Sequence, residues 1–224
     1  MTHYAVRDDL SFCRIGERFV FLDIDSDRYF RLPDSMERTL ADYLDGNRTS
    51  TPEIRRLIER KILVDATGTA TGSRKDIKPV TRSAMEAPHS TKEPRLSDLL
   101  EVLAIVLHTR VALKLLPIKV VLNGLVANQP TRPAQITLPA VLARQLSAAS
   151  AVYRRARLYV PVDMCCLLDS IAMAKFLRRR KLRTHVVFGV ALDPFSAHCW
   201  VQADDLVLND SVGNVNSHTP IRVV

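Results

Sequence analysis

No apolar run occupies Met1 to Leu10, so no secretory signal is expected there. Nor is any long stretch free of charge. The most apolar segment, Leu99 to Val126, is broken by His108, Arg110, Lys114, Pro117 and Lys119, which suits buried helices and not a membrane span of about 20 apolar residues. Cys-x-x-Cys spacing is absent, although there are four cysteines, Cys13, Cys165, Cys166 and Cys199. Two of these are adjacent, so reduced thiols in a cytoplasmic setting are expected in place of two disulfides. Adjacent cysteines also chelate one zinc awkwardly, which weakens a metal site built from Cys165, Cys166, His198 and Cys199. Internal repeats are lacking too.

What is present is ordinary for a globular protein. Of 224 residues, 47% are hydrophobic and 25% charged, enough apolar material for one domain or two small ones and too much for wholesale disorder. The net charge of +8 is uneven: residues 1–65 hold 11 Lys/Arg against 13 Asp/Glu, and residues 66–224 hold 21 against 11. The basic surplus of the second part could attract an acidic peptide, a membrane surface or nucleic acid, or form a solvated face. Its densest run, Arg178 to Lys181, follows an apolar helical stretch, where cations suit a helix C-terminus.

Leu10 to Ile15, Arg18 to Ile24 and Arg28 to Leu32 read as three strands joined by turns at Gly16-Glu17 and Ser26-Asp27. Pro33-Asp34 opens a helix that ends at Asp45-Gly46, and Ser50 with Glu53 has the spacing of a capping box for a second. Residues 66–95 are rich in Thr, Ser, Pro and Lys and read as a flexible linker. Beyond it, helices are expected over Leu96 to Leu116, Ile118 to Ala127, Leu138 to Leu158 and Asp163 to Arg180. Strands follow over Thr184 to Leu192, His198 to Gln202 and Leu206 to Leu208.

Chemistry concentrates in the second part. Asp163 is a good N-cap, which places Cys165 and Cys166 in the first helical turn, where free N–H groups and the helix dipole stabilise a thiolate. His198 starts a strand, and Asp210 ends the next one 12 residues on. In a hairpin the two would share one end, with Asp210 orienting His198 and His198 facing the thiol.

Cys166-Leu167-Leu168-Asp169-Ser170, Phe188-Gly189-Val190, Ala197-His198-Cys199-Trp200-Val201 and Val207-Leu208-Asn209-Asp210 together resemble the lasso peptide biosynthesis B proteins, whose protease domain is similar to transglutaminases and papain-like proteases. The resemblance covers roughly residues 138–224. It implies a catalytic triad of Cys166, His198 and Asp210, and it selects Cys166 over Cys165 because Cys166 is followed by Leu. Cys199 stands where the family usually has Ala. No metal or other cofactor is implied. The N-terminal strands and helices resemble, more weakly, the PqqD-like leader-recognition element, with Asp27-Arg28-Tyr29-Phe30-Arg31-Leu32-Pro33 at the end of the third strand. Such elements take up a leader peptide as an added strand, which implies binding at Tyr29, Phe30, Arg31 and Leu32.

A winged-helix DNA binder is the alternative for this unit, given Arg55, Arg56, Arg60 and Lys61, but the unit's negative balance argues against it. The expected fold is therefore α+β: a winged-helix-like unit over 1–65, a linker over 66–95 and a papain/transglutaminase-like unit over 96–224. The resemblance implies a leader peptidase acting on a precursor peptide beside an asparagine-synthetase-like cyclase. A non-catalytic leader-binding scaffold and an acyltransferase using the same triad are the competing functions.

Overall fold

A computed structural model describes residues 4–46, 52–65, 77–86, 93–127 and 139–224. The chain divides into two compact units, 1–75 and 76–224.

The first unit holds β1 (Tyr4–Val6), β2 (Leu10–Ile15), β3 (Arg18–Asp23), β4 (Arg28–Phe30), α1 (Asp34–Leu44), α2 (Pro52–Glu59) and β5 (Leu63–Asp65). Strands β2, β3 and β4 form an antiparallel meander in that order. Gly16, at φ +59°, supplies the left-handed residue that the two-residue turn between β2 and β3 requires. The core face of β3 is Phe19 and Phe21, which pack with Phe12, and Phe21 stacks on Phe30 at 5.2 Å between ring centres. Leu40 of α1 and Leu57 of α2 close over it. Glu37 is buried and accepts the N–H of Phe19, so α1 is tied to β3 by a charge-assisted hydrogen bond. The pairing of β1 with β5 was not expected; strands of three residues carry no usable period. Ser50, half of the expected capping box, lies outside the described residues.

The second unit holds β6 (Arg82–Ser83), α3 (Leu96–Leu115), α4 (Ile118–Ala127), α5 (Pro139–Arg157), α6 (Cys166–Arg179), β7 (His185–Ala191), β8 (Ser196–Ala203), β9 (Leu206–Val207), α7 (Val212–Asn216) and β10 (Thr219–Val223). One five-stranded sheet runs β10-β7-β8-β9-β6, antiparallel except for the parallel pair β6 and β9. Helix α6 is buried along Leu168 to Leu177, as its apolar sequence predicts, and packs against the sheet and against α3 and α5.

Two expectations are corrected. Residues 77–86, read as linker, belong to the sheet unit. Val80 and Ala84 are buried, β6 pairs with β9, and Arg82 makes a two-toothed ion pair with Asp205. Their polar composition hid this because the contacts are made mainly by backbone and by buried small residues. The helix expected from Asp163 begins at Cys166, with Cys165 as its cap. The basic run is half solvated, with Arg179 (67% exposed) and Lys181 exposed and Arg178 and Arg180 half-buried. Arg178 donates to the Gly124 and Leu125 carbonyls ending α4, Arg179 pairs with Glu101, and Arg180 bridges Asp98 and Glu101 while lying 3.5 Å over the Phe176 ring. These cations fasten α3 and α4 to α6.

Candidate active site

Cys166 is the first residue of α6, so its N–H has no helical acceptor and its side chain sits at the positive end of the dipole. Asp163 does not cap the helix. Asp169, one turn in, reaches back: its Oδ2 accepts the Cys165 N–H at 3.0 Å and its Oδ1 accepts Arg157 Nε at 2.5 Å. Arg157 is only 4% exposed and also donates to the carbonyls of Val160 (3.3 Å) and Asp163 (3.1 Å). One buried ion pair thus fastens the segment leading to Cys166 onto α5 and α6.

His198 is the third residue of β8, and β8 and β9 form the hairpin that the spacing suggested. Its Nε2 donates a short hydrogen bond to Asp210 Oδ2, leaving Nδ1 as the nitrogen for Cys166. Asp210 lies just past β9 and is held on every side. The Ser211 N–H donates to Oδ1 (2.7 Å), Asn214 Nδ2 to Oδ2 (2.8 Å), and the Ser83 hydroxyl to its carbonyl (2.6 Å). Asn214 is itself fixed by the Ser211 cap, whose Oγ accepts its N–H.

Beneath the histidine lies Trp200, 1% exposed, with ring centres 6.0 Å apart. Trp200 crosses β7 over Gly189, where a Cβ would stand 2.5 Å from Cζ3 and 2.6 Å from Cη2. That contact is the reason for glycine in Phe188-Gly189-Val190. Ser170 of α6 donates to the Cys199 carbonyl (2.9 Å) and accepts from Asn209 Nδ2 (2.9 Å), whose Oδ1 accepts the Val201 N–H (2.8 Å). This cross-link sets the Cys166 helix in register with the His198 strand.

The electrostatics match a thiolate–imidazolium pair. The Cys166 thiol is drawn below its ordinary value by its hydrogen bond to His198, against partial burial, with help from backbone groups of Cys199 and Leu167. His198 is pushed up to about 9, first by its hydrogen bond to Asp210 and then by that to Cys166. Burial favours the neutral form of Asp210, but His198, the Ser211 N–H and Asn214 outweigh it and hold the carboxyl below its usual range. Burial drives the Cys199 thiol far up, so it is an inert core group.

The structure therefore brings Cys166, His198 and Asp210 together. Cys165 is exposed beside them and Cys199 is buried. In the first unit, β4 ends at Phe30 and is an edge strand among the described residues. Phe30 faces the aromatic core and Leu32 is 5% exposed, while Tyr29 is half-buried and Arg31 exposed. Asn214, Ser83, Arg157 and the pairing of Ser170 with Asn209 were not foreseen as parts of the site. Only Asn214, four residues after Asp210, had a local signal.

A family model described as the transglutaminase-like superfamily matches residues 103–223, more than half of the chain. Among curated proteins, the chain is similar to the microcin J25-processing protein McjB of Escherichia coli, with 39% identity over 46 residues, 20% of this chain and 22% of that protein. The match spans only about a fifth of that relative's length. No solved structure matches. No described helix is long and apolar enough to cross a membrane.

Proposed function

The chain belongs to the transglutaminase-like superfamily, and from that premise we propose that it is a cysteine protease that removes the leader from a lasso peptide precursor. The observation that carries this reading is the hydrogen-bonded set Cys166, His198 and Asp210 at the start of α6. The Cys166 thiolate attacks the scissile carbonyl, forming an S–C bond. The imidazolium of His198 gives its proton to the departing amine as the C–N bond breaks. Water then attacks the thioester carbonyl as His198 takes one of its protons; the new C–O bond forms, the S–C bond breaks, and the acid product leaves with the thiolate–imidazolium pair restored. The Cys165 N–H is committed to Asp169, so the unpaired N–H of Cys166 is the backbone donor for the oxyanion.

The likeness to a microcin J25-processing protein supports a peptide precursor as substrate. The first unit would receive the leader along β4, whose outward main-chain groups can extend the meander. An asparagine-synthetase-like cyclase would take over the released core peptide. The test is incubation with a precursor peptide followed by mass spectrometry. Separate leader and core, formed by the native chain and not by Cys166→Ala, support the reading. Transfer of the acyl group to an added amine in preference to water would make the protein an acyltransferase instead.

A further inference from the structure

His218 closes the turn between α7 and β10, and its ring centre stands 5.3 Å from that of His198. Strand neighbourhood alone would not bring the two together, because β7 lies between β8 and β10 in the sheet. The residue of β7 between them is Gly189, which pairs with His198 on one side and with Pro220 on the other. A Cβ there would stand 3.1 Å from the His218 Cβ, besides striking Trp200. The glycine thus leaves a gap over β7 that Trp200 and His218 share.

Both ring nitrogens of His218 are engaged. A carbonyl cannot donate, so Nδ1 carries the hydrogen and donates to the Asn214 carbonyl at 2.9 Å. In the neutral ring Nε2 is then the acceptor, and the Ser196 hydroxyl donates to it at 3.1 Å. Ser217 Oγ lies 3.0 Å from Nδ1 and donates to the same Asn214 carbonyl.

These bonds close a circuit. Asn214 donates to Asp210 Oδ2 through its side chain and accepts from His218 through its carbonyl. Ser196 lies two residues before His198 on the same face of β8. From His198 the path runs through Asp210, Asn214, His218 and Ser196 and returns along β8. His218 is the member that joins the turn bearing Asp210 to the strand bearing His198. Ser196, Asn214 and Ser217 are exposed, so water can replace these bonds and they add little to stability. What they fix is where imidazole and carboxylate stand, and a misplacement of about 1 Å can cost on the order of a hundredfold in rate.

We propose that His218 is a positioning residue for Cys166, His198 and Asp210, holding the Asp210 turn against the His198 strand. This deepens the protease reading and rests on it for the reaction. With the tie cut, His198 is no longer held in line, and Cys166 loses part of the hydrogen bond that draws its thiol down.

The test uses the full chain carrying Cys165→Ala, in which Cys166 is the exposed thiol and Cys13 and Cys199 are buried. His218→Phe keeps a ring beside His198 and removes both hydrogen bonds. His218→Asn places an amide donor where Nδ1 stood and keeps the bond to the Asn214 carbonyl. The ultraviolet absorbance of the Cys166 thiolate, followed against pH, should show His218→Phe ionising at higher pH than the parent. Its alkylation by iodoacetamide near neutral pH should slow at least about fivefold, the scale of one hydrogen bond. His218→Asn should recover most of that rate, and Ser196→Ala should slow less than His218→Phe. The urea midpoints of all three should match the parent. On a precursor peptide, His218→Phe should lower kcat and leave KM unchanged. A parent-like thiolate titration and alkylation rate in His218→Phe overturn the proposal. So does a slowing that His218→Asn fails to relieve, or one that comes with a lowered urea midpoint, since a general packing role gives either. If no form cuts peptide while the thiolate series behaves as expected, the positioning role stands and the protease reading falls.

Discussion

Asp210 gives the plainest test at the level of single residues. Its carboxylate is the first cause of the raised His198 pKa, so the ion pair should persist from the lowered pKa of Cys166 up to about 9. Hydrolysis should rise as the thiol ionises and fall as His198 deprotonates near pH 9, the two limbs belonging to the coupled pair. In Asp210→Asn the alkaline limb should move to lower pH and kcat should drop by orders of magnitude; an unmoved limb in a pH–rate profile removes Asp210 from the mechanism. Stability follows the same signs. His198, raised from 6.5, stabilises the fold fully below that value, and its contribution is lost as pH rises through about 9. Asp210, lowered from 3.8, contributes above that value and loses its contribution as pH falls through the folded pKa. Between the vicinal thiols, Cys166→Ala should abolish cleavage and Cys165→Ala retain most of it. The reverse outcome would reassign the nucleophile.

Two contacts between elements hold Cys166, His198 and Asp210 in their arrangement. Gly189→Ala would drive a methyl into Trp200, and overpacking of this kind costs about 1–3 kcal/mol. Because His198 lies on Trp200, the variant should unfold at lower urea and also alkylate more slowly at Cys166. A normal alkylation rate with lowered stability would show that the tryptophan does not position the histidine. Arg157→Leu should be worse: it leaves Asp169 without its buried cation, a loss of about 3–5 kcal/mol for a broken buried pair. Adding Asp169→Asn should restore part of that, as a double-mutant cycle would measure.

The revised boundary changes what can be cut from the whole molecule. A fragment beginning near residue 96 loses the Ser83 hydrogen bond to the Asp210 carbonyl, the Arg154 bond to the Ala84 carbonyl and the Gln202 bond to the Lys78 carbonyl. A fragment of 76–224 keeps all three. The longer fragment should melt cooperatively and retain a reactive Cys166, and the shorter should do neither; equal behaviour in circular dichroism and alkylation would show that residues 77–86 are dispensable. The 1–75 fragment should bind leader peptide alone, with Phe30→Pro weakening it if that N–H faces the ligand. Tight binding to 76–224 alone, measured by titration of labelled leader, would move recognition to the other unit.

Local chemistry was legible in the sequence wherever the interacting residues are neighbours. The turn at Gly16-Glu17, the apolar length of α6 and the helix-start cysteine all follow from side-chain spacing and backbone preference, which act over a few residues. The hairpin bringing His198 to Asp210 was within reach because only 12 positions separate them. Tertiary structure alone decided the rest. Nothing local marks Ser83 as a brace for Asp210, Gly189 as room for Trp200, or Asn209 as the partner of Ser170. Each depends on which distant surfaces meet when the core closes, and hydrophobic burial, being non-directional, sets that meeting only through the packing of the whole unit.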